Sequence, residues 1–248
     1  MSKDNIGDRM KRYETADSSL LTPRTPAIIR LDGKAFHTFT KGFEYPFDKG
    51  LSNSMQQSAL ALAKEIPTAQ LVYGQSDEVS IFIADYYSTQ IQQWFGGKIQ
   101  KIVSVASSFF TVKFNENISK VDIPDKEYRA MFDARVFNMP ESDVANYFYW
   151  RWMDATRNSV SMAARSHFKD SELHGVNTAQ MKNKLRHEAN SPWEDRPAFF
   201  KDGWIINKEP REDSDRLKWK INPINSDIRS IVKECISRME DTEDEKEK

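Results

Sequence analysis

The stretch LVYGQSDEVSIFI, residues 71–83, holds two β-forming runs around Gln75-Ser76-Asp77-Glu78. Branched and aromatic side chains suit a pleated strand, and a polar tetrad between two such runs is turn chemistry. The stretch predicts a β-hairpin with Asp77 and Glu78 at its tip. Upstream, residues 49–66 place Leu51, Met55, Ala59, Leu62 and Ile66 at steps of three and four, the spacing of one helical face, and Pro67 ends that helix. Further upstream, AIIRLDGKAFHTFTK, residues 27–41, opens with a strand over 27–32 that stops at Asp32-Gly33. Residues 4–14 read as a short helix.

Downstream of the hairpin, residues 88–113 read as a long helix with Gly96-Gly97 as a weak point, and ARVFNMP, residues 134–140, as another strand. Ser142 is placed to cap a helix over 143–166. A short helix is expected over 178–188. From 190 onward Pro, Trp and charge dominate, which predicts irregular chain with one or two short strands around GWIINKE and a last helix over 224–238. Strand, helix, hairpin, helix, strand is the split βαβ layout. The expected fold is α+β: an antiparallel sheet with helices on one face, ferredoxin-like.

The chain has 248 residues, enough to bury a sizeable core. Lys plus Arg total 36 and Asp plus Glu 37, a balance that excludes a uniformly basic nucleic-acid binder while allowing a local patch. Residues 151–187 carry seven Lys or Arg against three Asp or Glu, and residues 98–113 carry three lysines and no acid. A single cysteine, Cys235, excludes an intramolecular disulfide and a zinc cluster. No apolar run is long enough for a membrane span, and the mixed-charge start MSKDNIGDRMKRYE has no secretory core, so a cytoplasmic protein is expected. Residues 239–248 are nearly all charged and are expected to be a disordered tail.

If the first strand neighbours the hairpin, Asp32 and Asp77 meet at one end of the sheet. Two such carboxylates repel unless a cation lies between them, and Mg²⁺ takes one or two carboxylates plus phosphate oxygens. Read alone, Asp32-Gly33 and Asp77-Glu78 fit equally as plain polar turns. No Ser-His-Asp triad and no reactive Cys is evident.

IIRLDGKAFHTF, YGQSDEVSIFI, KIVSVASSFF, FDARVFNMP and RWMDATRNSVSMAA occur in this order over roughly residues 5–205. Together they resemble the tRNA-His guanylyltransferase family, and more closely its Thg1-like branch of 3′-to-5′ RNA polymerases. The resemblance implies a polymerase-palm core at about 25–166, an RNA-contacting part at about 167–238 and a single catalytic domain over 1–238. It implies two Mg²⁺ ions held by Asp32, the Gly33 carbonyl and Asp77, with Glu78 in support. Asp32, Asp77 and Glu78 are thus the catalytic set. The implied reaction adds a nucleotide from GTP or another nucleoside triphosphate to the 5′ end of a tRNA, with ATP as an activator of a 5′-monophosphate. A homotetramer is implied by resemblance alone.

Further residues follow on the same basis. Lys34, Ala35, Phe36, His37, Ser76, Lys98, Lys101, Arg135 and Asn158 are expected at nucleotide or phosphate, and Arg151, Arg157 and Arg165 at RNA. Several have a plainer alternative. Ser76 can be a turn residue, Lys98 and Lys101 an exposed helix face, and Arg135 a strand-edge side chain. Arg151, Asp154, Asn158 and Arg165 can be a salt-bridged helix face. The six tryptophans read as core or interface rather than as stacking platforms.

Two departures stand out. The HINNLYN-type motif of eukaryotic members is replaced here by ATRNSVS, which keeps the Asn. That favours the branch associated with template-directed repair of 5′-truncated tRNAs over dedicated tRNA-His addition. Tyr45 in FEYPFD stands where a basic residue is expected, so a 5′-triphosphate end is expected to react better than a monophosphate plus ATP. Another palm enzyme, such as a nucleotide cyclase, and a silent RNA-binding protein on the same fold are the competing readings.

Overall fold

The computed structural model describes residues 5–16, 18–88, 90–123, 127, 129–211, 214–224 and 226–244. Helix α1 (Ile6–Thr15) precedes strand β1 (Ala27–Gly33), the single turn α2 (Phe36–Phe39) and helix α3 (Lys49–Glu65). The hairpin β2 (Ala69–Gln75) and β3 (Glu78–Ile83) follows, then α4 (Ile99–Ile118), β4 (Phe132–Asn138) and α5 (Glu141–Arg165). The remainder is α6 (Asp170–Leu173), α7 (Thr178–His187), α8 (Ala198–Lys201), the hairpin β5 (Trp204–Arg211) and β6 (Ser214–Pro223), and α9 (Ile228–Asp244). Among the described residues no helix is long and apolar enough to cross a membrane.

The strands form one antiparallel sheet in the order β4-β1-β3-β2-β5-β6. Because side chains alternate along a strand, each strand feeds two faces. Ala27, Ile29 and Leu31 of β1 join Met55, Ala59 and Leu62 of α3 and Ala106, Phe110 and Phe114 of α4. Ile28 turns the other way and joins Val144, Ala145 and Phe148 of α5 and Ile228 and Val232 of α9. The α+β class is as expected, and α3 and α4 share one face. Helices nevertheless cover both faces rather than one, because α5 and α9 bury the second apolar set.

A third cluster lies beyond the sheet. Val160, Ala163 and Ala164, from the C-terminal half of α5, pack with Leu173, Leu185 and Trp193. Helix α5 therefore spans sheet and lobe: its first half lies on the strands and its second half is the lobe's backbone.

Three of the boundaries that differ from the sequence reading bear on the site or the chain's end. The helix expected over 88–113 begins only at Ile99, because Phe95, Gly96 and Gly97 take φ of 52°, 62° and 74°, a left-handed run that no right-handed helix can include. Ser142 lies inside α5, whose first residue follows Pro140, with Glu141 and Asp143 in the first turn where the helix dipole favours acids. Helix α9 continues through Asp244, six residues into the stretch read as a charged tail; residues 245–248 lie outside the described residues.

Candidate active site

Strand β1 carries Asp32 to the end of the sheet, where it stands opposite Glu78 of β3 on one side and Asp133 of β4 on the other. Gln75 pairs with Glu78, so Ser76 and Asp77 alone make the β2–β3 turn, and Ser76 takes the left-handed φ of 49° that such a turn needs. The turn lays Asp77 against Gly33. A Cβ at Gly33 would sit 2.9 Å from Asp77 Oδ2 and 2.4 Å from the Phe36 ring, so the close approach requires glycine. Asp32 and Asp77 thus meet as expected. Burial drives the Asp77 carboxyl up to about 6, the Asp32 charge adds to this, and its own backbone N–H and the Ser76 hydroxyl oppose it. Two acids and an open backbone, with one acid driven toward its neutral form, suit a hard divalent cation completed by phosphate oxygens.

Glu78 has a different part. Arg151 Nε and Nη2 donate to its two carboxylate oxygens at 2.6 Å each, and Arg30 Nη2 bridges Glu78 Oε2 at 2.6 Å and Asp32 Oδ2 at 3.0 Å. Glu78 and Arg151 are each 5% exposed. Burial alone would lower the Arg151 pKa; the hydrogen bonds and charge of Glu78 more than offset that, so the net shift is upward. The expectation that Arg151 contacts RNA is therefore corrected: it lies under the helix, spent on Glu78 and, at 3.2 Å, on Asp154. Sequence reasoning passed over Arg30, although its strand position beside Asp32 marked it as facing the same way.

The turn after β1 is the second part of the site. The Lys34 N–H donates to Met131 O at 2.8 Å, and Ala35 takes φ 50° at the start of α2. Phe36 fills the core against Phe114 and Phe132, so only its backbone can face a ligand. Among the described residues the amides of Ala35, Phe36 and His37 have no protein acceptor, while Lys34 and His37 are exposed.

From α5, Arg157 and Asn158 are exposed, and Arg157 donates to Asp154. Arg165 is exposed at the helix end, bonded to Asp170 at 3.3 Å, and its charge reaches Tyr45, whose hydroxyl is raised mainly by burial. Arg135 is exposed on edge strand β4, paired with Asp133 at 3.3 Å and in register with Arg30. Ser76 is exposed at the turn.

Lys98 and Lys101 are not part of this constellation. Helix α4 meets the site by its C-terminal half: Phe132 N–H donates to Thr111 and Ala130 N–H to Asn115. Ile102 instead lies with Ala27 and Ile83 at the far end of the sheet. Lys101 is thirteen residues before Phe114, about 20 Å along the helix, and its ammonium lies 4.7 Å from the Phe95 ring centre.

The α+β sheet is shared by the solved structures that superimpose on it, and these similarities place the chain among nucleotidyltransferases. A bacterial tRNA-His guanylyltransferase (Thg1)-like protein in complex with ATP is 42% identical, with a TM-score of 0.85 over 95% of this chain and 98% of that one. A second such structure, in complex with GTP, is 40% identical, with a TM-score of 0.81 over 95% and 99%. The tRNA-His guanylyltransferase of Schizosaccharomyces pombe is 31% identical over 81% of this chain and 79% of its own length. The family model Thg1, tRNA-His guanylyltransferase, matches residues 7–140. The chain belongs to that family.

Proposed function

We propose that the protein adds nucleotides to the 5′ end of tRNA in the 3′-to-5′ direction. The observation that carries this is the Asp32–Asp77 pair set against Gly33, one turn before unpaired amides. Relatives that bind ATP and GTP support a nucleoside triphosphate as one substrate.

Asp32, Asp77 and the Gly33 carbonyl would hold two Mg²⁺ ions, which when bound lower the pKa of a hydroxyl and neutralise charge on a leaving phosphate. The chain's own residues do the rest. The Ala35–His37 amides and Lys34 cradle the triphosphate. Ser76 orients Asp77, and Arg30 and Arg151 fix Glu78 and so the register of the acidic strand ends. Asn158, Arg157 and Arg165 face the RNA end. The 3′-oxygen of the incoming nucleotide forms a bond to the RNA 5′ phosphorus, and the bond to pyrophosphate, or to AMP on an adenylylated end, breaks. A cytoplasmic homotetramer is part of the same proposal, and light scattering tests the assembly.

The test is nucleotide addition to a tRNA transcript lacking its first 5′ nucleotide and bearing a 5′-triphosphate, with Mg²⁺ and all four nucleoside triphosphates. Template-matched extension, lost in Asp77→Asn, is expected. RNA binding without extension would point to a silent RNA-binding protein. Neither binding nor extension would point to another palm enzyme such as a cyclase.

A further inference from the structure

We propose that Trp150 is a stacking platform for an unpaired nucleobase at the end of the RNA acceptor helix, an inference that rests on the RNA-substrate reading above. Helix α5 carries a run of aromatic residues, and most have partners. Tyr149 stacks on Trp152 at 5.7 Å and takes the Arg229 guanidinium at 4.1 Å, on the side that packs against α9. Phe148 is fully buried. Trp150 is instead 51% exposed, and it meets Tyr147, which in turn meets Phe137 of edge strand β4. Met153, one turn on, is 44% exposed.

The ring is exposed yet held. The Arg151 guanidinium lies 4.4 Å from the Trp150 ring centre, and Tyr147 meets the ring nearly edge-on at 6.0 Å. Tyr147 is itself fixed by Phe137 and by a 3.0 Å hydrogen bond to Ser80. One indole face is thus seated on a buried, ion-paired cation, a contact that sets its orientation. Short contacts lead from it to the carboxylates: Trp150 to Arg151, Arg151 to Glu78, Glu78 to Arg30, and Arg30 to Asp32.

The two sides of the acidic pair are equipped differently. The turn with free amides belongs to the α3–α4 face, since Phe36 and Phe39 pack there against Phe114. Trp150 stands on the α5 face, with Arg157 two turns along the same helix and Arg135 on the strand below. A triphosphate held at the turn leaves the α5 face to the other reactant. An oriented, half-exposed aromatic ring is the chemistry that binds single-stranded bases, because every base has a π-face, and the exposed guanidiniums of Arg135 and Arg157, though paired with Asp133 and Asp154, lie near enough for a following phosphate to compete for them.

The experiment is fluorescence anisotropy with a labelled acceptor-stem RNA hairpin lacking its first 5′ nucleotide, which leaves one base unpaired. The same hairpin with the unpaired nucleotide opposite the gap made abasic is the comparison. The wild-type protein should prefer the base-bearing hairpin by about 10- to 100-fold. Trp150→Ala and Trp150→Leu should abolish that preference, Trp150→Phe should keep most of it, and GTP affinity should not change. Trp150→Leu keeps apolar bulk, so it decides the matter if Trp150→Ala does not fold. A leucine variant that retains the preference overturns the proposal. So does one that loses GTP and both hairpins alike, or one that changes only the mass of the assembly, which would give this face to a second copy of the chain. A wild-type protein that binds neither hairpin fells the RNA reading itself. One that binds both equally fells the stacking role alone.

Discussion

Arg151 grips Glu78 with two parallel hydrogen bonds of 2.6 Å, and this pair fastens α5 to the end of strand β3. A guanidinium and a carboxylate match in shape, and their shared burial makes each dependent on the other. The bond positions both the acidic sheet end and the outer face of α5.

Removing one partner of this pair should be costly. Arg151→Leu is expected to destabilise by about 3–5 kcal/mol, since Glu78 keeps only Arg30. Arg157→Ala, an exposed change on the same helix, should stay within about 0.5 kcal/mol while weakening RNA binding. Urea unfolding of both variants measures the contrast. Equal stabilities would show that the pair does not anchor the helix.

Asp77 predicts a pH dependence of stability in metal-free buffer. Its folded pKa of about 6 lies above the ordinary 3.8, so the folded state holds a proton that the unfolded state has released. Stability should therefore fall as pH rises from about 4 to about 6. Asp77→Asn should remove that slope and melt higher than wild type at pH 8. Added Mg²⁺ should raise the wild-type melting temperature at pH 8 and not that of the variant. Scanning calorimetry at pH 4, 6 and 8 is the check.

Gly74 lies under Trp204, and a Cβ there would come within 2.1 Å of the indole ring. Gly74→Ala should cost about 1–3 kcal/mol through overpacking. Combining it with Trp204→Phe, which withdraws the clashing ring edge, should cost less than the sum of the single changes. Strict additivity in a double-mutant cycle would contradict this packing.

Burial raises the Cys235 thiol to about 11, against the opposing charges of Lys208 and Arg238. At pH 8 the folded protein then holds about 100-fold less thiolate than the unfolded chain, and alkylation by iodoacetamide should slow in proportion. Between about pH 9 and 11 the unfolded thiol ionises first, so stability should fall as pH rises through that range. Native alkylation as fast as in urea would refute the burial.

An end reacting as a 5′-triphosphate should be extended faster than a 5′-monophosphate supplied with ATP, because Tyr45, 54% exposed, brings no charge of its own. Equal rates would give the missing cation to its neighbour Arg165.

The elements of the central sheet were legible because their periodicities are clean. The step of three and four from Leu51 to Ile66 and the paired runs around Asp77 appear as α3 and the β2–β3 hairpin. That Asp32 and Asp77 come to the same end of the sheet was legible from their places at strand ends; the residues alone left plain turns as an equal reading, and only the family resemblance singled the two out. Strand β6 was missed although Leu217, Trp219 and Ile221 alternate with Lys218 and Lys220, the period-2 pattern of a strand, because the Pro, Trp and charge of the region read as irregular chain. The role of Arg151 was missed for a different reason. An Arg three residues before an Asp on a helix looks like a solvated pair, and only the third dimension brings Glu78, 73 positions away, beneath it.

The order of the strands bears on how the chain is made. β2 ends up between β3 and β5, but β5 begins 129 residues after Gln75 leaves the ribosome. Until then the nascent hairpin has a bare edge of unpaired backbone groups and an apolar face that only α5 and α9 cover. Exposed strand edges recruit other chains. Glu78 meanwhile has Arg30 alone as a counter-ion until Arg151 follows 73 positions later. The hairpin at the acidic end of the sheet is thus made well before the strand that covers its edge, which gives a chaperone that shields strand edges a defined interval in which to act.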